Sequence, residues 1–181
     1  MATPVAHSLT ATVVFMVIKK RLPSWRDGLF GLYLLSANLS DFDFLPGLLL
    51  GDIERFHRGS TSHSIGFAIL CGLLVYTIAR WRRAEHPGRI GGLTAGLVGS
   101  HVLIDWLTRD PSPPTGVPAL WPITGEYYTA SWPLFLNVER NGLDSLDVWL
   151  HNLLGATLEF GVLLPPLLLA WFWGRHHHAS G

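Results

Sequence analysis

The chain has 181 residues, 49% of them hydrophobic and only 14% charged, with eight tryptophans and a formal net charge of zero. That length suits one domain or one helical bundle, and the composition is too apolar for an ordinary soluble domain, so a membrane protein is expected. Balanced charge gives no basic field for a phosphate backbone, which argues against nucleic acid, and the single cysteine, Cys71, rules out an internal disulfide or a thiolate metal cluster.

Apolar segments run from Val5 to Ile18, Gly28 to Leu50, Ser64 to Ala79, Ile90 to Leu107 and Leu150 to Trp173. The first, in "MATPVAHSLTATVVFMVIKKR", carries its basic residues behind the apolar run, the reverse of a signal peptide, and is expected to be retained. A full span needs about 20 residues at about 1.5 Å each. The first segment is therefore short, and the second is interrupted by Asp41, Asp43 and Pro46, so both read as partial or bent spans. The other three read as membrane helices, with Arg80 and Arg82 snorkelling at the end of the third. Thr108 to Trp149, rich in proline, glycine and aromatics, reads as a structured outer loop. The expected fold is all-α, a polytopic membrane bundle of four to five segments forming one domain over residues 1–175. Residues 176–181 read as a tail, native or left from a tag, and His176, His177 and His178 are set aside.

Nine of the thirteen Lys and Arg residues follow the first, third and last segments, among them Lys19, Lys20, Arg21, Arg80, Arg82, Arg83 and Arg89. The positive-inside rule makes those turns cytoplasmic. The opposite face then receives His7, Asp41, Asp43, His57, His63, His101 and Asp105, drawn from four segments. In "GSHVLIDWLTRD", His101 and Asp105 stand one helical turn apart and leave the same helix face, where both reach a single ion. Asp41 and Asp43 share a side if "SDFDFLP" is extended, which Pro46 close behind favours; helix capping at a turn is the alternative. Imidazole with carboxylate and no cysteine suits an open site for zinc or a similar divalent ion, with one or two ions and manganese also admissible.

The succession "AHSLTA", "LSDFDFLPG", "HRGSTSHSI", "HVLIDWLT" and "GVPALWPIT" resembles the inner-membrane-associated, metal-dependent hydrolases of bacteria, the LexA-regulated membrane hydrolase family. The resemblance covers roughly residues 5–125. It implies a bacterial inner-membrane protein distantly similar to the zinc-dependent phospholipase C and P1 nuclease superfamily, with phosphoester chemistry. By motif it implies His7, Asp41, Asp43, His57, His63, His101 and Asp105 as metal-site residues. In "HRGSTSH" the two histidines stand one residue further apart than in the family, which predicts an altered turn between His57 and His63.

Arg58 is a candidate for an anionic substrate group, or for lipid headgroups. Glu159, deep in the last apolar segment, is a candidate ligand or general base, or else a protonated acid hydrogen-bonded across the bundle. His151 is expected to pair with Asp147, and His86 to be solvated. The function expected is a membrane-bound metal-dependent hydrolase acting on a phosphoester or lipid-linked substrate at headgroup depth on the periplasmic side. The alternative is a structural subunit of a larger membrane complex, for which the small-residue run "GGLTAGLVGS" would supply close helix contact. A transporter is disfavoured because the polar residues gather on one face.

Overall fold

The computed structural model describes residues 1–18, 26–50, 61–111, 113–139 and 142–176. His57 and Arg58 lie outside the described residues, as does the turn expected to differ in the HRG motif.

Helix α1, Pro4–Ile18, starts on a proline whose fixed φ suits a first helical position and whose missing N–H needs no partner there. Thr3 caps it, its Oγ1 accepting from the Val5 N–H at 3.1 Å. Helix α2, Arg26–Asn38, gives way to a 3-10 turn, Leu39–Asp43, and then to the short α3, Phe44–Leu50. The extended Asp-Phe-Asp expected from the sequence is therefore not formed. Pro46 falls in the first turn of α3, where no helical N–H bond is required, so it does not force extension. At about three residues per turn, Asp41 and Asp43 leave on different sides.

Helix α4, Ile65–Trp81, is capped by Ser64, whose Oγ accepts from the Phe67 N–H at 3.1 Å, and turns back into α5, Pro87–Trp106. The two pack backbone to backbone: a Cβ on Gly72 would stand 2.6 Å from Ala95 Cβ and 2.8 Å from Gly91 O, so only glycine permits the approach. Helix α5 also packs on α2 and α1, and α1 lies along α6, Leu146–His176. Between α5 and α6 the chain forms a parallel pair, β1 Thr108–Arg109 with β2 Phe135–Leu136, and the "GVPALWPIT" loop. That loop accepts the first amides of α4: Ile65 N–H donates to Ala119 O at 2.9 Å and Gly66 N–H to Trp121 O at 3.1 Å.

The expectation of four to five membrane segments does not hold. Among the described helices only α6, over Leu146–Trp173, is long and apolar enough to cross a membrane. Helices α1 and α4, with 15 and 17 residues, are apolar but shorter. They reach about 22 and about 26 Å against a hydrocarbon core of about 30 Å. Helix α5 has the length but carries Thr94, Ser100, His101 and Asp105. Hydropathy misled because an apolar run buried against other helices scores like one facing lipid: Leu29, Tyr33 and Ala37 of α2 pack with Ile90 and Leu97 of α5 in the principal core. Cys71 packs with Ala68 and Val98 in a smaller one. Trp149 and Trp173 bracket α6, 24 residues and about 36 Å apart, a spacing suited to the two interfaces of one bilayer.

Candidate metal centre

Four elements bring five of the expected residues together. His7 comes from the second turn of α1, Asp41 from the 3-10 turn, His63 from the turn before α4, and His101 with Asp105 from the last turns of α5. His101 Nε2 stands 3.2 Å from Asp105 Oδ2 and 3.7 Å from Asp41 Oδ1. His63 Nε2 stands 3.3 Å from the same Asp105 oxygen and 3.9 Å from Asp41 Oδ1, and His7 Nε2 is 3.8 Å from Asp105 Oδ1. The His7 and His101 rings stack at 3.6 Å, 12° from parallel. Two triads, His7–His101–Asp105 and Asp41–His63–His101, each gather their donor atoms within 4.8 Å.

The atoms behind this cluster hold it in place. His101 Nδ1 is 2.7 Å from Ala37 O. A carbonyl only accepts, so Nδ1 carries the hydrogen, and a neutral His101 then points an Nε2 lone pair at two carboxylate oxygens. That arrangement repels unless a proton or a metal cation stands between them. His101 Nε2, Asp105 Oδ2 and both ring nitrogens of His7 are buried without a hydrogen-bond partner, which is costly for groups that water would otherwise solvate. The two separations about Asp105 Oδ2, 3.2 and 3.3 Å, match the metal alternative, since ligands about 2.0–2.1 Å from a tetrahedral ion lie about 3.3–3.4 Å from one another; the remaining pairs, at 3.7 to 3.9 Å, are looser. The residues present therefore fit a divalent ion of the zinc type.

Asp43 stands behind His63, its Oδ2 3.4 Å from Nδ1, and accepts from Ser62 Oγ at 2.6 Å. Ser40 Oγ donates to Ser62 O at 2.8 Å, which ties the His63 turn to the 3-10 turn. On the other side, Ala2 N–H donates to Asp105 Oδ1 at 2.8 Å. Glu159 does not join the cluster. Both of its carboxylate oxygens are taken up by Thr3, Oε1 by the backbone N–H at 2.7 Å and Oε2 by the hydroxyl, so α6 grips the start of α1 one turn before His7. That geometry makes Glu159 a residue that positions α1. The serines, the Ala37 carbonyl and the Thr3–Glu159 clasp were not found from the sequence, where only the serine-rich "GSTSHS" hinted at hydroxyls beside His63.

Electrostatics divides the histidines. Burial, then the neighbouring His101, brings His7 down to about 3, so its imidazole is neutral and free to donate a lone pair. Burial also opposes charge on His63, but hydrogen bonds to Asp41 and Asp43 and the nearby Asp105 carboxylate outweigh it and raise His63 to about 9. Asp41, which burial would raise, is instead held low by its hydrogen bond to His63 and by His101. His151 is structural as expected but by another partner, its Nε2 donating to Asn137 O at 2.9 Å. His86 is half-exposed beside Glu85.

A family model described as YdjM inner membrane protein matches residues 1–177. The chain belongs to this family. Its place among inner membrane proteins agrees with the bare apolar surface of α4 and α6, where Leu73, Leu74, Leu153, Leu169 and Trp173 are exposed. No curated protein and no solved structure matches the chain.

Proposed function

We propose that this inner membrane protein is a metal-dependent hydrolase acting on a phosphoester or lipid-linked substrate. The observation that carries the reading is the convergence of imidazole and carboxylate donors from four elements, in which His7, His101 Nε2 and Asp105 Oδ2 are buried without a hydrogen-bond partner while Ala37 O and the Ala2 N–H hold the outer atoms of His101 and Asp105. His7, Asp41, His63, His101 and Asp105 would hold the ion, zinc by donor type and manganese as the alternative. The two triads share His101, which has only Nε2 to offer, so the described donors make one centre rather than two. A bound divalent ion supplies Lewis-acid polarisation and a water of lowered pKa.

The protein's own residues have distinct tasks. His101 is locked in one tautomer by Ala37, and Asp43 with Ser62 orients His63. Asp41, with its side chain 15% exposed, is the edge at which a reactant meets the cluster. The cluster lies at the end of the α4–α5 hairpin opposite Arg80, Arg82, Arg83 and Arg89.

The deciding experiment measures zinc and manganese per chain in detergent-purified protein and His101→Ala, with turnover of a soluble aryl phosphodiester before and after chelation. The expected result is about one ion per chain, lost in the variant, and turnover that chelator abolishes and metal restores. A wild-type chain that stays folded yet takes up no ion would overturn the reading.

A further inference from the structure

The cluster is closed on nearly every side. His7, His63, His101 and Asp105 have no exposed side-chain surface, whereas Asp41 and Asp43 are 15% and 10% exposed. Access for a reactant is therefore by way of these two carboxylates, of which Asp41 is the more exposed. A groove of about 480 Å³ opens there, lined by Pro4, Leu34, Leu35, Phe42 and Phe44, with Asn38 and Asp41 its polar members. The volume lies within the range of about 300–1,000 Å³ found for small-molecule sites. Its walls come from the start of α1, the last turns of α2, the 3-10 turn and the first residue of α3; α1 and the 3-10 turn also present His7 and Asp41.

From this continuity we infer that the groove seats one acyl chain of a membrane phospholipid, with the headgroup phosphoester lying at the Asp41 edge. The inference rests on the hydrolase reading for its chemistry and on the groove alone for its ligand. An apolar trough polar only where it meets the cluster complements an amphiphile, not a free sugar phosphate or a nucleotide, whose polar surface would lose water against Leu34, Leu35 and Phe44 without hydrogen bonds in return. The walls extend the greasy surface of the chain: Leu35 and Phe42 are exposed, as are Leu48, Leu49 and Leu50 on the adjoining α3, so a lipid tail in the groove meets further apolar side chains beside it. Hydrolysis there adds water across one P–O bond. The water oxygen bonds to phosphorus, the bond from phosphorus to the alcohol oxygen breaks, and a proton passes to that departing oxygen.

The test uses the full chain in lipid nanodiscs containing a small fraction of phosphatidylglycerol with a diazirine in mid-chain. After irradiation, cross-linked residues are mapped by mass spectrometry in wild type, Leu35→Trp, which fills the groove, and Leu35→Ser, which removes a wall. The expected result is severalfold enrichment of label on residues 34–44 over the exposed leucines of α6. It should fall severalfold in folded Leu35→Trp while α6 labelling is unchanged; Leu35→Ser, the less bulky change, should lower it in the same place. Uniform labelling of α4, α6 and the groove, or enrichment indifferent to both variants, overturns the inference and marks the groove as ordinary lipid contact. Enriched labelling without metal-dependent turnover leaves the lipid site standing and removes the hydrolase. Turnover of the soluble diester without enriched labelling does the reverse.

Discussion

Asp105→Asn tests the centre at its most connected atom. The substitution keeps the size of the side chain and an oxygen to accept the Ala2 N–H, a bond of 2.8 Å in the native chain. With that oxygen retained, the amide nitrogen replaces Oδ2, the atom 3.2 and 3.3 Å from the nitrogens of His101 and His63. An amide NH₂ is a donor without a lone pair for a metal, so the variant loses one anionic ligand and little shape. Removing a hydrogen bond behind a ligand costs roughly 10–100-fold in metal affinity, and loss of the ligand itself should exceed that, more than about 2.7 kcal/mol. Ser62→Ala supplies the comparison, because it strips the hydroxyl that lies behind the centre, 2.6 Å from Asp43 Oδ2 and 3.1 Å from His63 Nδ1, without removing a ligand. Zinc affinity by competition with a chromophoric chelator should rank wild type above Ser62→Ala and Ser62→Ala above Asp105→Asn. Thermal unfolding in detergent would confirm that both variants fold. A folded Asp105→Asn within threefold of wild type would refute the assignment of Asp105 as a ligand.

Two further outcomes follow from the surroundings of the centre. Glu159→Ala strips the partners from the Thr3 N–H and hydroxyl, and should lower stability by about 2 kcal/mol, the sum of a weakened cap and stranded donors, with Glu159→Gln losing less; equal thermal midpoints for wild type and Glu159→Ala would count against the clasp. In chelator-treated protein the two histidines set opposite limits. His63, raised from 6.5 to about 9, contributes stability that is full below pH 6.5 and lost as pH rises toward 9, roughly 3 kcal/mol in all. His7, lowered from 6.5 to about 3, penalises the fold increasingly as pH falls from 6.5 toward 3. The metal-free thermal midpoint should therefore peak near pH 6.5, and a midpoint flat from pH 5 to 9 would show that neither histidine is perturbed as described.

Local rules carried the sequence reading where the chemistry is local. A four-residue spacing puts His101 and Asp105 on one helix face whatever surrounds the helix. The gathering of His7, Asp41 and His63 with that pair was also legible, because ionisable groups in apolar segments must collect where they satisfy one another. Tertiary structure alone decided the rest. Whether an apolar run faces lipid or another helix depends on its neighbours, so hydropathy counted the buried faces of α2 and α5 as membrane and only α6 keeps the length of a span. Glu159 and Thr3 are 156 positions apart, and no spacing rule links them; only the packing of α1 along α6 shows that the acid holds a helix start and stands outside the cluster. The turn at Asp41 and Asp43 was settled in the same way, by hydroxyls from residues 40 and 62 that tie two distant turns together and give the two carboxylates different sides of His63.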